Sequence, residues 1–237
     1  MPITSPNNEA LKEVRKLAGR KWRDKTRTFV AEGEDLVEAA AAAGWAPEVL
    51  LVEAGSGLAG EEVAPHLLKQ HSQLGSGTRA LGIYPQRWAQ QATGPVCVAL
   101  WGVGDPGNVG TVLRAAHAFG AASVALGPGS ADPFGPKAVR ASMGAIFSVP
   151  VVRVTSVAEL PHPTIALAAR TGEALSCKKG DSPLSCTLVV GAERDGLPED
   201  VLAACDEMAH IPIHTESLNA AMAAAIALYE VTRVPRA

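Results

Sequence analysis

Residues 95–127, PVCVALWGVGDPGNVGTVLRAAHAFGAASVALG, decide the fold of this chain. PVCVALW (95–101) is an unbroken apolar run of strand length, a glycine-rich loop follows, residues 108–119 read as a helix, and ASVALG (122–127) is a second strand. Both strands are apolar runs without polar alternation, and a helix separates them. That pattern belongs to a parallel sheet covered on both faces.

The pattern repeats to the end of the chain. A helix is expected over 136–145, strands at VPVVRV (149–154), TIALAA (164–169), TLVVGA (187–192) and MAHIPI (208–213), and helices over 198–204 and 218–231. Such α/β sheets bind ligands in the loops at the carboxyl ends of their strands, so this half is the expected catalytic domain. Towards the amino terminus, residues 7–27 read as one basic helix with a thin apolar stripe at Leu11, Val14 and Leu17. TFVAEGEDLVEAAAAAG (28–44) reads as a short extended piece entering a helix, PEVLLVE (47–53) as a strand, 61–71 as a helix and ALGIY (80–84) as a strand. The polar RWAQQATGP stretch ends this small α/β unit and places the cut at residue 94. The expected domains are 1–94 and 95–237.

The 237 residues are 47% hydrophobic, 19% charged and 4% aromatic, which excludes disordered and collagen-like classes. No apolar run approaches the ~20 residues of a membrane helix, and the first residues lack the order of a secretory signal, so a cytoplasmic address is expected. The net charge of −3 is unevenly spread: residues 1–30 hold eight Lys/Arg against three Asp/Glu, and the remainder thirteen against twenty-one. Cys97, Cys177, Cys186 and Cys205 form no CxxC pair, and Pro212 spoils the helix that would align His210 with His214, so neither a disulfide framework nor a metal site is expected.

Gly102, Gly104 and Gly107 satisfy GxGxxG between a strand and a helix, the pattern of a nicotinamide-dinucleotide loop. That reading requires an acid at the end of the second strand, whereas the first acid after it is Asp132, deep in the next loop. Pro106 also removes an N–H from the loop asked to cradle pyrophosphate.

Four segments read together carry more. DPGNVGTVLRAAHAFGAASVAL (105–126), DPFGPKAVRASMGAIFSVPV (132–151), LVVGAERDGLP (188–198) and IPIHTESLNAAMAAAIALYE (211–230) resemble, in order, the signature motifs of the SpoU (TrmH-like) ribose 2′-O-methyltransferases of the SPOUT superfamily. RKLAGRKWRDKTRTFVAEGEDLVEAA (15–40) is similar to the amino-terminal RNA substrate-binding domain of many members. The resemblance implies S-adenosylmethionine as methyl donor, an RNA substrate with ribosomal RNA favoured, a homodimer with sites near its interface, and a deep trefoil knot in the carboxyl-terminal domain. A transfer-RNA substrate and a catalytically silent RNA-binding relative are the alternatives.

The resemblance also assigns residues. Asn108 stands at the expected N-cap of its helix. Arg114, six positions on and about 9 Å along the axis, can lean back towards the loop; the resemblance makes it the catalytic arginine. A guanidinium is no base, so a phosphate clamp is the physical version of that role. Glu193 braces the site by hydrogen bonding, while main-chain groups near Gly191, Gly196, Ile211 and Leu218 hold the cofactor. Ser217 is the expected N-cap of the last helix, with Asn219 inside that helix and in the catalytic pocket. Met222, Ile226 or Ala225, and Tyr229 share one helix face with Leu218. Arg15, Arg20, Lys21, Arg23 and Arg27 on the basic helix, and Arg140 and Ser142 near a helix start, are the expected RNA contacts. The HTE segment (214–216) is shorter than the glycine-containing loop expected there.

Overall fold

Gly19 cuts the basic segment in two. The computed structural model describes residues 1–73, 77–169, 171–175 and 185–233; Cys177 lies outside the described residues. In place of one helix over 7–27 there are two, α1 (Glu9–Leu17) and α2 (Arg20–Thr26). Asn8 starts α1 by accepting from the N–H groups of Ala10 and Leu11, and Gly19, poor in helices, takes an extended conformation between them. Leu11, Val14 and Leu17 are buried as their spacing requires.

The chain continues through β1 (Thr28–Glu32), α3 (Glu34–Ala42), β2 (Val49–Glu53), β3 (Glu61–Val63), α4 (Pro65–His71) and β4 (Ala80–Pro85). The helix expected over 61–71 therefore opens with the short strand β3 and is helical only from Pro65. A residue before proline avoids the helical region, so Ala64 stays extended, and Pro65 begins α4. The strands lie in the order β1-β4-β2-β3, antiparallel except for β2 beside β3.

The larger sheet begins with β5 (Val96–Leu100), α5 (Pro106–Ala118) and β6 (Ser123–Leu126). After it, residues 132–147, with α6 (Pro136–Ala141), pack with residues 1–87 to form one compact unit; Trp88–Ala131 and Ser148–Ala237 form the other. Aromatic contacts explain that membership. Phe29 lies against Phe134 and Phe147, with ring centroids 4.9 and 5.8 Å apart, and Trp45 Nε1 donates to the Phe147 carbonyl at 2.8 Å. Each such ring pair adds about 0.5–1.5 kcal/mol beyond burial.

The second unit resumes with β7 (Val151–Arg153), β8 (Thr164–Leu167), β9 (Glu173–Ala174), β10 (Cys186–Val190), α7 (Glu199–Ala204), β11 (Glu207–His210) and α8 (Ala220–Thr232). Its seven strands run β7-β6-β5-β10-β8-β11-β9, and all six described pairings are parallel. β5 and β10 are buried along their whole length, as unbroken apolar runs demand. Cys97 and Cys186 sit in that interior as free thiols, and Cys205 is half-buried. Among the described residues no helix is long and apolar enough to cross a membrane.

Candidate functional site

β8, β10 and β11 run in one direction, and their carboxyl ends open on one cavity of about 560 Å³. Leu167 to Ala169 after β8, residues 190–196 after β10, Ile211 and Ile213 after β11 and residues 216–218 before α8 wall it. A volume in this range holds a cofactor-sized molecule.

The loop after β10 is closed on itself. Ala192 N–H donates to the Gly196 carbonyl at 3.1 Å, and Gly196 N–H to that of Ala192 at 2.9 Å. A Cβ on Gly191 would lie 2.3 Å from the Gly196 carbonyl carbon, and Gly196 has φ of 65°, so both positions require glycine. The result is bare main chain along the cavity wall.

At the rim three polar side chains meet. Asn108 Nδ2 donates to Glu193 Oε1 at 2.5 Å, and Asn219 Nδ2 donates both to Asn108 Oδ1, at 3.0 Å, and to Glu193 Oε1. The start of α5, the loop after β10 and the start of α8 are thereby tied through one carboxylate. Asn219 has a second duty: its Oδ1 accepts from Ala221 N–H at 3.0 Å and Met222 N–H at 3.2 Å, which caps α8. With its oxygen committed to the cap, its amide nitrogen must face Asn108 and Glu193.

Both capping expectations need correction. Asp105, not Asn108, is the N-cap of α5, with Oδ1 accepting from Gly107 N–H at 2.6 Å and Asn108 N–H at 3.2 Å. Asn108 lies in the first turn, its side chain free to reach Glu193. These two N–H groups are also lost to any pyrophosphate, which removes the basis of a dinucleotide loop here. Asn219, not Ser217, caps α8, so Asn219 precedes the helix instead of lying inside it. Ser217 lines the cavity and its carbonyl accepts from Thr215 Oγ1 at 3.3 Å.

Gly191, Glu193, Gly196, Ile211, Ser217 and Leu218 thus share one cavity. Arg114 does not line it: it is exposed, further along α5, with no hydrogen bond or ion pair to the described residues.

The expected RNA contacts divide. Arg15, Arg20, Lys21, Arg27 and Arg140 are exposed. Arg23 is 5% exposed and points inward: Nε and Nη2 donate to Asp132 Oδ2 at 2.9 and 2.8 Å, and Nη1 to the carbonyls of Leu17 and Ala18. Ser142 is fully buried, its hydroxyl given to the Val139 carbonyl at 2.7 Å. Neither can meet RNA without unpacking. Trp22 escaped the sequence reading; Lys16 and Lys25 lie 5.1 and 5.0 Å from its ring centroid. An aromatic residue inside a basic run was the available signal.

The α8 face expected from the sequence is present, but it faces outward. Met222, Ile226 and Tyr229 are 57, 40 and 55% exposed, while Ala220, Ala221, Ala224 and Ala227 are buried with Leu228 and Val231. The alanines let α8 approach α5 and β10 closely, and Tyr229 meets Phe119 edge-on at 6.1 Å.

Comparisons with known proteins agree with this architecture. Residues 95–229 match the SpoU rRNA Methylase family, and residues 8–79 match the MRM3-like substrate binding domain. The 23S rRNA (guanosine(2553)-2′-O)-methyltransferase RlmP of Bacillus subtilis is 31% identical over 97% of this chain and 98% of its own length. The AdoMet-bound rRNA methyltransferase of Sinorhizobium meliloti superposes with a TM-score of 0.82 at 29% identity, covering 98% of this chain and 97% of its own. The SpoU methyltransferase AviRb of Streptomyces viridochromogenes, solved with AdoMet, gives 0.80 at 25% identity over 95 and 97%.

Proposed function

The chain belongs to the SpoU rRNA Methylase family, and from that premise we propose that it methylates a ribose 2′-hydroxyl of ribosomal RNA, using S-adenosylmethionine, in the cytoplasm. Residues 1–94 serve as the RNA substrate-binding domain and residues 95–237, with the family's trefoil knot, as the catalytic domain. The observation that carries this reading is the Asn108–Glu193–Asn219 cluster at the rim of a cavity formed at the carboxyl ends of β8, β10 and β11.

The residues present fit the cofactor. Gly191, Gly196, Ile211 and Leu218 offer main-chain groups and apolar surface in a cavity large enough for an adenosine with an amino-acid tail. When bound, S-adenosylmethionine supplies a methyl group made electrophilic by its sulfonium. Glu193, held by the two asparagine amides, fixes the loop 191–196 and hence the cavity wall. Asn219 couples that loop to α8, so the wall and the helix start keep one geometry. Ser217 lines the cavity at that start.

Arg114 clamps the RNA phosphate beside the target ribose. Its guanidinium stays charged and cannot receive the hydroxyl proton, so the proton passes to the clamped phosphate oxygen or to a water held there. Arg15, Arg20, Lys21, Arg27 and Arg140 supply further phosphate contacts, with Trp22 as an aromatic surface among the basic residues.

The enzyme works as a homodimer. An exposed apolar face of Met222, Ile226 and Tyr229 is what a second copy would cover, and Arg114, exposed on the neighbouring α5, would serve the partner's cavity. Calorimetry with S-adenosylmethionine and with NADH tests the premise. Binding of the first and not the second is expected; no binding of S-adenosylmethionine would refute the proposed function.

A further inference from the structure

Four charged side chains line the cavity at the carboxyl ends of β8, β10 and β11: Glu193, Arg194, Asp195 and Glu216. Glu193 is committed, since its Oε1 accepts from the amides of Asn108 and Asn219. Arg194, Asp195 and Glu216 are exposed, and none of them makes a hydrogen bond or ion pair with the described residues. The rest of the lining, Ser217 apart, is apolar or glycine.

An exposed charge ordinarily needs no partner but water. Here placement is what matters. Arg194 belongs to the loop after β10 and Glu216 to the segment before α8, so two walls of one concave site carry opposite charges that do not pair with each other. A few placed polar groups on an otherwise apolar lining orient a ligand, and this lining offers one cation and, from a different wall, one anion. The ligand that such a site orients carries both signs close together. The amino-acid end of S-adenosylmethionine does, with a carboxylate and an ammonium on one carbon.

We propose that Arg194 receives the α-carboxylate of the cofactor and Glu216 its α-ammonium, which fixes the end of the cavity that holds the amino-acid tail. The guanidinium can offer two parallel N–H donors to a carboxylate, and the Glu216 carboxylate accepts from an ammonium; both bonds are charge-assisted. Glu216 is preferred to Asp195 because it brings its charge from a wall of its own, whereas the field of Asp195 is offset by the adjacent Arg194. This inference rests on the function proposed above and adds to it the residues that set the direction of the cofactor.

Calorimetry on the full chain tests this with three ligands: S-adenosylmethionine; its decarboxylated form, which keeps the ammonium; and 5′-methylthioadenosine, which has no amino-acid tail. Arg194→Gln is expected to lower affinity for S-adenosylmethionine about tenfold, the scale of one charge-assisted bond, without lowering that for the decarboxylated form. Glu216→Gln is expected to lower both about tenfold. Neither should change the affinity for 5′-methylthioadenosine or the melting temperature, and Asp195→Asn should follow wild type throughout. Affinity for S-adenosylmethionine like wild type in either Arg194→Gln or Glu216→Gln, a loss in Asp195→Asn in place of Glu216→Gln, or equal losses for all three ligands, as a disturbed wall would give, would overturn the assignment while leaving the function standing. A wild-type protein that does not bind S-adenosylmethionine would overturn both.

Discussion

Arg23 and Arg114 show how far apart two arginines of one chain can stand in role. Arg23 is locked to Asp132 with both side chains below a tenth exposed, whereas Arg114 is exposed and engages none of the described residues. Arg23→Ala leaves the Asp132 carboxylate buried and unpaired, a loss of about 3–5 kcal/mol, and chemical denaturation should register it as a lower midpoint. Arg114→Ala should leave the melting temperature and cofactor affinity unchanged and lower methyl transfer by about 10²–10³, the scale of losing one aimed electrostatic group. Arg114→Lys should recover little, because an ammonium cannot make a bidentate clamp. Near-wild-type turnover of Arg114→Ala in single-turnover assays would remove Arg114 from the mechanism. In the sequence Arg23 reads like Arg20 or Lys21, since nothing local announces that its partner lies 109 residues away. Asn108, Glu193 and Asn219 were legible as site residues only through the motif resemblance, and the capping duty of Asn219 was not legible at all.

At the scale of elements, the larger sheet was open to reading because each buried parallel strand is an apolar run. What escaped was governed by single residues: Gly19 splitting α1 from α2, Pro65 delaying α4, and Asp105 and Asn219 setting helix starts. Asp206 makes a comparable local decision at the start of β11. Its carboxyl is held at about 2, foremost by the Thr164 N–H, then by the His162 ring and the Thr164 hydroxyl, tying β11 to β8. A carboxyl held below its ordinary value near 3.8 stabilises the fold above that pH and ceases to do so as pH falls through about 2. Melting temperature against pH should therefore drop between about 4 and 2 more steeply in wild type than in Asp206→Asn; parallel curves would contradict the assignment. For α8, if the proposed homodimer forms through this face, Ile226→Glu combined with Tyr229→Glu should give folded monomers in sedimentation velocity where wild type sediments as a dimer; a dimer in the double variant would place the interface elsewhere.

For the whole molecule, the net charge of −3 averages a basic arm with an acidic remainder. Removing the exposed charges at Arg15, Arg20, Lys21 and Arg27 should weaken RNA binding and reduce the slope of log affinity against log salt by up to about 3, at roughly 0.7–0.9 per phosphate contact. Cofactor affinity should not change, and an unchanged slope would show that the arm does not meet RNA. The sequence reading places a single boundary at residue 94, whereas packing assigns residues 132–147 to the amino-terminal unit. Sequence periodicity could not reveal that assignment, because it depends on Phe134 and Phe147 meeting Phe29 and Trp45 across a hundred residues. Methyl transfer to ribose can be read out by incubating the purified protein with unmodified ribosomal RNA and methyl-labelled S-adenosylmethionine, followed by mass spectrometry of the nucleosides. Label is expected in a single 2′-O-methylated nucleoside and strongly reduced with Arg114→Ala; label on a base, or none in ribosomal RNA, would contradict ribose methylation.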